Sequence, residues 1–183
     1  MIDHKRKFIF IHIPKAGGTS VEAALELKGG PQHVPFKFHP NKNEYFSFTI
    51  IRNIFDKAVS WYLFHKKNYP KLNEYQTKDF NEWVRLGMKT HSAYTLVKNP
   101  LSDLDFLEDS DNKVKLNFIG RFGNFQEDFD IICGKIGIPQ QKLPHKNKSE
   151  HKHYTEYYDD ETRDIVAKRY AKDIEYFGYK FGE

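Results

Sequence analysis

A seven-residue stretch near the start of the chain, PKAGGTS at residues 14–20, combines groups that bind anions in proteins. Its glycines let a ligand approach the main chain closely. If a helix follows, its first turn leaves several N–H groups unpaired and aimed at one point, with the positive end of the helix dipole behind them. Lys15 adds a mobile cation, and Thr19 and Ser20 add hydroxyl donors. The stretch therefore predicts a site for a phosphate-like group.

The order of residues separates this loop from a Walker A motif, Gly-x-x-x-x-Gly-Lys-Ser/Thr, in which the lysine follows the second glycine. Here Lys15 precedes Gly17 and Gly18, so the lysine reaches the anion from the preceding strand. The alternative is an ordinary Gly-Gly turn with an exposed lysine. The complete succession of apolar run, loop and helical pattern favours the anion site.

A second candidate for anion binding follows the next predicted strand. Arg52 stands directly after the apolar run at residues 46–51, at the end of a strand, where open α/β folds bind ligands. Ser60 lies roughly two helical turns further on. Because arginine forms bidentate, charge-assisted bonds to phosphate, the pair predicts a second phosphate contact. An ordinary strand-end arginine and an ordinary helix serine explain the two residues equally well.

The elements that would position these residues alternate along the chain. Strands are predicted at residues 8–13, 46–51 and 117–122. Helices are predicted at residues 19–28, 54–67, 80–88, 125–135 and 161–176, with Gly29-Gly30 ending the first and Asn124 capping the fourth. Continuous apolar runs are typical of strands covered on both faces, so the pattern favours an α/β fold with a parallel sheet.

Composition and charge exclude several classes of protein. Apolar residues make up 39% of the chain and aromatic residues 16%, which excludes a disordered protein. The net charge of +4 is spread over mixed signs, so nucleic acid is not an expected partner. The single cysteine, Cys133, excludes an internal disulfide, and its apolar surroundings predict a buried, inert thiol. No apolar run approaches the ~20 residues that span a bilayer, so a cytoplasmic protein without a membrane partner is expected.

Four segments together resemble the sulfotransferases that use 3′-phosphoadenosine 5′-phosphosulfate (PAPS). They are PKAGGTS after the first strand, IIRN with Ser60 eight residues after Arg52, IGRFGNFQEDF, and the C-terminal stretch beginning NKSEHKHYTEYY. The likeness is closest to the branch that contains carbohydrate sulfotransferases and their small bacterial relatives. It implies a P-loop-like sulfotransferase fold, a three-layer sandwich with a central parallel sheet, as one domain over residues 1–183.

The resemblance also implies which residues bind PAPS, the co-substrate that donates the sulfuryl group. Those that would hold its 5′-phosphosulfate are Lys15, Ala16, Gly17, Gly18, Thr19 and Ser20. Those that would hold or approach the rest of the nucleotide are Arg52 and Ser60 at the 3′-phosphate, with Lys148 and Ser149 in a basic loop nearby. A solvated run of charges explains Lys148 and Ser149 equally well. No metal ion is expected, because a sulfuryl group carries less charge than a phosphoryl group.

Transfer to an alcohol requires a base that removes the hydroxyl proton as the O–S bond forms. The related 2-O-sulfotransferases carry a catalytic histidine at a similar distance before the arginine of the second strand, which corresponds to His33 here. His39, in the same loop, is the alternative. The expected mechanism is in-line transfer in which His33 takes the proton and Lys15 stabilises charge on the bridging oxygen. His12, inside the first strand, is interpreted as a hydrogen-bonded core residue.

Two other functions stay open from the sequence. A P-loop-type nucleotide kinase or hydrolase would need Mg²⁺ and an acidic ligand at the strand end, where Asn53 stands. A non-catalytic nucleotide-binding protein would keep the site without turnover. The acceptor of a sulfotransferase is expected to be a hydroxyl-bearing small molecule or glycan, and residues 69–116 are the part of the chain left to form a wall for it.

Overall fold

The computed structural model of the chain describes residues 1–29, 32–40, 42–71, 77–89, 97, 99–144 and 152–183. The backbone divides into two compact units, each assembled from separate parts of the chain. The first unit holds the described residues of 1–52, 96–99 and 103–148, and the second holds those of 53–95, 100–102 and 149–183. That residues 1–183 form one domain stays a prediction.

A four-stranded sheet runs through the first unit in the described part of the chain. Its strands, in their order across the sheet, are β1 (Ile2–Asp3), β2 (Phe8–Ile11), β3 (Phe46–Ile51) and β4 (Phe118–Arg121). β2, β3 and β4 are parallel, with Phe10 opposite Phe48 and Phe48 opposite Phe118. β1 pairs antiparallel with β2, so the sheet is mostly and not wholly parallel. The α/β class is confirmed. β1 escaped prediction because two residues carry no measurable periodicity.

Seven α-helices lie in the described residues. They are α1 (Gly18–Ala24), α2 (Ile54–Asn68), α3 (Phe80–Arg85), α4 (Leu104–Leu107), α5 (Phe125–Lys135), α6 (Asp160–Arg169) and α7 (Ala171–Phe177). None of the helices in the ranges described above is long and apolar enough to cross a membrane.

The core of the first unit forms where α1 and α5 meet the sheet. All four residues of β2 are buried, as the continuous apolar run predicts. Val21 from α1, Leu25 directly after α1, and Phe129, Ile132 and Cys133 from α5 belong to the same apolar cluster as Phe10 and Phe48. Cys133 is a buried free thiol, as predicted, and burial raises its pKa.

Three predicted helix boundaries were wrong. α1 ends at Ala24 instead of residue 28, because Glu26 takes a φ of 53° and the N–H of Leu27 bonds back to the carbonyl of Glu22 at 2.9 Å. The predicted last helix is split at Tyr170, whose φ is −112°. The predicted helix at residues 80–88 ends at Arg85, because Gly87 and Met88 take φ angles of 90° and 51°. In each of these three cases a local backbone conformation changed the boundary without a signal in the apolar pattern. α5 has its predicted bounds, although the Asn124 side chain makes no capping hydrogen bond to it.

The second unit is built on α2, α3, α6 and α7 around an aromatic core. Trp61 and Tyr62 of α2 and Phe80 and Trp83 of α3 are buried there. The side chain of Asn53 caps α2 by accepting a hydrogen bond from the N–H of Phe55 at 3.2 Å. α2 therefore begins directly after the residues that leave β3, as the sequence predicts.

Candidate functional site

Three neighbouring parallel strands end at the same edge of the sheet, and the residues that follow them make up the candidate site. β2 leads into residues 14–20, here called the phosphate loop, which connects to α1. β3 leads to Arg52, and β4 leads to Phe122. Since carboxyl ends of adjacent parallel strands lie side by side, these residues come together within the first unit.

The phosphate loop holds two residues in left-handed backbone conformations. The φ angles are 65° at Lys15 and 85° at Gly17, and α1 begins at Gly18. Glycine adopts such an angle without steric cost, whereas a lysine there is strained. α1 has seven residues, so its dipole is smaller than the predicted ten-residue helix would supply. Charged side chains therefore carry more of the electrostatic attraction for an anion than the sequence indicates.

Close packing excludes side chains at both glycines of the loop. A Cβ at Gly18 would lie 2.2 Å from Cδ2 and 2.3 Å from Nε2 of His12. A Cβ at Gly17 would lie 2.7 Å from Cζ of Phe125. From the sequence, these glycines are expected to let a ligand approach the backbone. The structure adds that an aromatic ring already lies against one side of each glycine.

Two cations meet at the phosphate loop. Nη1 of Arg52 donates to the carbonyl of Lys15 at 3.1 Å, and the guanidinium carbon lies 4.5 Å from the ring centroid of Phe122. Burial, and then the charge of Arg52, lower the pKa of Lys15 to about 8. Each cation destabilises the other, and a bound anion would remove that repulsion. The arrangement suits a ligand that carries negative charge.

His33 is hydrogen-bonded to His12, the residue that directly follows β2 and precedes the phosphate loop. Its Nδ1 lies 2.8 Å from the carbonyl oxygen of His12. A carbonyl can only accept, so Nδ1 carries the proton and Nε2 carries the lone pair in the neutral ring. Burial, and then neighbouring His12, lower the pKa of His33 to about 4. The ring is therefore neutral at pH 7, and Nε2 is the nitrogen at which it would take up a proton.

His39 is held differently. Its Nε2 lies 3.2 Å from the carbonyl oxygen of Val34, within its own loop, so Nε2 donates and Nδ1 carries the lone pair. Burial lowers its pKa to about 4 as well. The two histidines thus have similar proton affinity, and what distinguishes them is the attachment of His33 to the phosphate-loop strand.

The remaining predicted site residues lie in several environments. In the phosphate loop Thr19 is exposed, while Ala16 and Ser20 are buried, and the N–H of Ser20 donates to the carbonyl of Gly17 at 2.9 Å. Ser60 is buried on α2 and belongs to the second unit. Lys148 and Ser149 lie outside the described residues. The binding and catalytic roles of all the predicted site residues, Ser60, Lys148 and Ser149 included, stay predictions.

The interpretation of His12 as a hydrogen-bonded core residue is confirmed, and its partner was missed. His12 is buried and its Nδ1 is hydrogen-bonded to Oε1 of Glu22. Phe122, under the Arg52 guanidinium, was also missed. A signal for Glu22 existed, since it is a carboxylate at a buried helix position next to Val21. Phe122 had none, because an aromatic residue after a strand is common.

Comparison with known proteins gives two matches. A model described as the sulfotransferase family matches residues 1–180, which include the phosphate loop, Arg52 and both units. An uncharacterized protein of Archaeoglobus fulgidus is 31% identical over 98 residues, a stretch that covers 53% of this chain and 72% of that protein. The name of that protein does not state a function.

Replacing Gly18 by alanine tests the packing of the loop. Alanine normally stabilises a helical position by about 0.5–1 kcal/mol relative to glycine. At Gly18 the contact with His12 outweighs this gain, and we expect a loss of about 1–3 kcal/mol in the free energy of unfolding. Gly134→Ala is the matched control, because a Cβ there meets nothing within 4 Å. Thermal unfolding should show a lower midpoint for Gly18→Ala and a higher one for Gly134→Ala; equal midpoints would contradict the packing described here.

Proposed function

Because the chain belongs to the sulfotransferase family, we propose that it transfers the sulfuryl group of PAPS to a hydroxyl group of an acceptor. The observation that carries the proposal is the meeting of Lys15 and Arg52 at a glycine loop within the first unit. PAPS presents a phosphosulfate and a separate phosphate, so its charge matches a site with two cations. The acceptor that we propose is a hydroxyl-bearing small molecule or glycan.

Donor binding is assigned to the phosphate loop. The N–H groups of residues 16–19 and the ammonium of Lys15 bind the 5′-phosphosulfate in this proposal. Arg52 binds the 3′-phosphate through its guanidinium in this proposal, from its place beside the carbonyl of Lys15. Charge-assisted bonds of this kind contribute about 1.5–3 kcal/mol each. The bound anion would also raise the pKa of Lys15 from about 8 and so keep its charge at neutral pH.

Transfer needs one proton to move and one charge to be stabilised. The acceptor oxygen forms a bond to sulfur while its proton passes to Nε2 of His33, which carries the lone pair because Nδ1 donates to His12. The bond between sulfur and the bridging oxygen breaks, and Lys15 stabilises the negative charge left on the nucleotide. The products are a sulfate ester, adenosine 3′,5′-bisphosphate and a protonated His33, which then releases its proton to water.

Ligand-induced stabilisation separates this proposal from a Mg²⁺-dependent kinase or hydrolase. A ligand at 100 times its Kd adds about 2.7 kcal/mol, or roughly 5–10 °C for a chain of this size. We expect that increase with adenosine 3′,5′-bisphosphate, a smaller one with ATP and Mg²⁺, and little with either ligand in Arg52→Ala. A larger shift with ATP and Mg²⁺ would favour the kinase, and a shift without turnover of PAPS on any acceptor would favour a binding protein.

The two candidate bases are distinguished by single substitutions. His33→Ala should lower kcat by about 10²–10⁴-fold, since a positioned base contributes that much. His39→Ala should change kcat by no more than a few-fold, because the hydrogen bond of His39 lies within its own loop. Adenosine 3′,5′-bisphosphate should stabilise both variants as it does the wild type. Turnover of labelled PAPS measures the effect, and a larger loss in His39→Ala would reverse the assignment.

The dependence of kcat/KM on pH should report the titration of His33 and of Lys15 in the free enzyme. His33 must be neutral to accept a proton, so activity should fall as the pH drops through about 4. Lys15 must be charged, so activity should also fall as the pH rises through about 8. Lys15→Arg, if active, should move the alkaline limb to higher pH, because a guanidinium keeps its proton there. An alkaline limb at the same pH in Lys15→Arg would show that another group is responsible.

A further inference from the structure

Glu22 and His12 form a buried pair that the transfer step does not use. Nδ1 of His12 is hydrogen-bonded to Oε1 of Glu22, and the two residues are 3% and 7% exposed. The bond joins the end of β2 to α1 and so closes the phosphate loop at its two ends. A buried carboxylate is costly unless it is hydrogen-bonded, and Glu22 lies beside Val21 and Leu25 of the apolar core. An apolar residue at this position would avoid that cost.

His12 contacts both parts of the proposed machinery. Its ring lies against the α-carbon of Gly18, at the start of α1. Its carbonyl accepts the hydrogen bond from Nδ1 of His33. Its ring also meets the His33 ring edge to face, with centroids 4.5 Å apart and planes at 69°. A rotation of the His12 ring would therefore disturb the phosphate loop and the candidate base together.

We propose that Glu22 is a positioning residue, which acts through His12 on the phosphate loop and on the orientation of His33; this rests on the proposed function. An imidazole ring has a soft torsion about its Cβ–Cγ bond, so packing alone specifies its orientation weakly. The carboxylate of Glu22 selects the orientation in which Nδ1 faces α1 and the Cδ2–Nε2 edge faces Gly18. In this way Glu22, which lies outside the phosphate loop, sets the geometry of the loop that binds the sulfuryl donor and of the histidine that accepts the proton.

If the Glu22–His12 pair were only a structural link, its removal would lower the stability of the protein without changing the chemistry. Thr49 provides the comparison. Thr49 is fully buried on β3, and its Oγ1 donates to the carbonyl of Ile11 at 2.8 Å. This hydrogen bond reaches the same part of the chain, one residue before His12. Thr49→Val removes it with little change in volume, so it serves as the matched control for losing a buried hydrogen bond near the loop.

The test compares Glu22→Ala, Glu22→Gln and Thr49→Val. Turnover gives kcat and the KM for PAPS separately, and ¹⁵N spectra of histidine-labelled protein give the His33 tautomer, with the signal assigned by its loss in His33→Gln. In Glu22→Ala we expect kcat to fall about 10–100-fold and the His33 signal to move from the Nδ1–H form towards a mixture of tautomers. In Glu22→Gln the amide oxygen still accepts from Nδ1 of His12, so kcat within a few-fold of wild type and an unchanged tautomer are expected.

In Thr49→Val the melting temperature should fall while kcat and the tautomer stay as in wild type. If Glu22→Ala behaves like Thr49→Val, the positioning role is overturned. If Glu22→Ala does not fold, Glu22→Asp, which withdraws the carboxylate by one methylene, should show the same losses to a smaller extent; wild-type kcat and tautomer there would overturn the proposal too. The ¹⁵N measurement needs no turnover, so a wild type inactive with PAPS would refute the proposed function while the tautomer still decides the role of Glu22.

Discussion

The contact between the His12 ring and the α-carbon of Gly18 is the constraint around which the rest of the site is arranged. It leaves no space for a side chain at the first residue of α1, so that the backbone there passes directly over an imidazole. His12 directly follows β2 and accepts the hydrogen bond of His33 through its carbonyl. One position thus links the central strand, the phosphate loop and the candidate base.

The sheet explains why charges from distant parts of the chain meet here. β2, β3 and β4 are parallel neighbours, so the residues after them share one edge. Lys15, Arg52 and Phe122 each follow one of these strands, and Arg52 contacts both the carbonyl of Lys15 and the ring of Phe122. The backbone alone would attract an anion weakly because α1 is short, and the two side chains supply most of the charge.

Burial sets the protonation of the two titratable groups in the proposed mechanism, His33 and Lys15. It lowers the pKa of His33 to about 4 and that of Lys15 to about 8, so at neutral pH the ring is unprotonated while the ammonium is still mostly charged. The two groups therefore occupy the forms required of a proton acceptor and an anion-binding cation. The low pKa of His33 also makes it a weaker base, and correct placement of its Nε2 then matters more.

The sequence by itself determined the three parallel strands, the strand–loop–helix order around residues 14–20 and the family. β3 was predicted at its observed bounds and α2 to within one residue, because continuous apolar runs and amphipathic spacing are local properties of the chain. The hydrogen bond from His33 to the carbonyl of His12, on which the proposal of His33 over His39 rests, joins residues 21 positions apart and has no local signal. The bond from Arg52 to the Lys15 carbonyl, the pairing of His12 with Glu22 and the early end of α1 were likewise decided by tertiary structure. Such contacts depend on which strand ends lie side by side and on single backbone angles, neither of which leaves a periodic signal in the sequence.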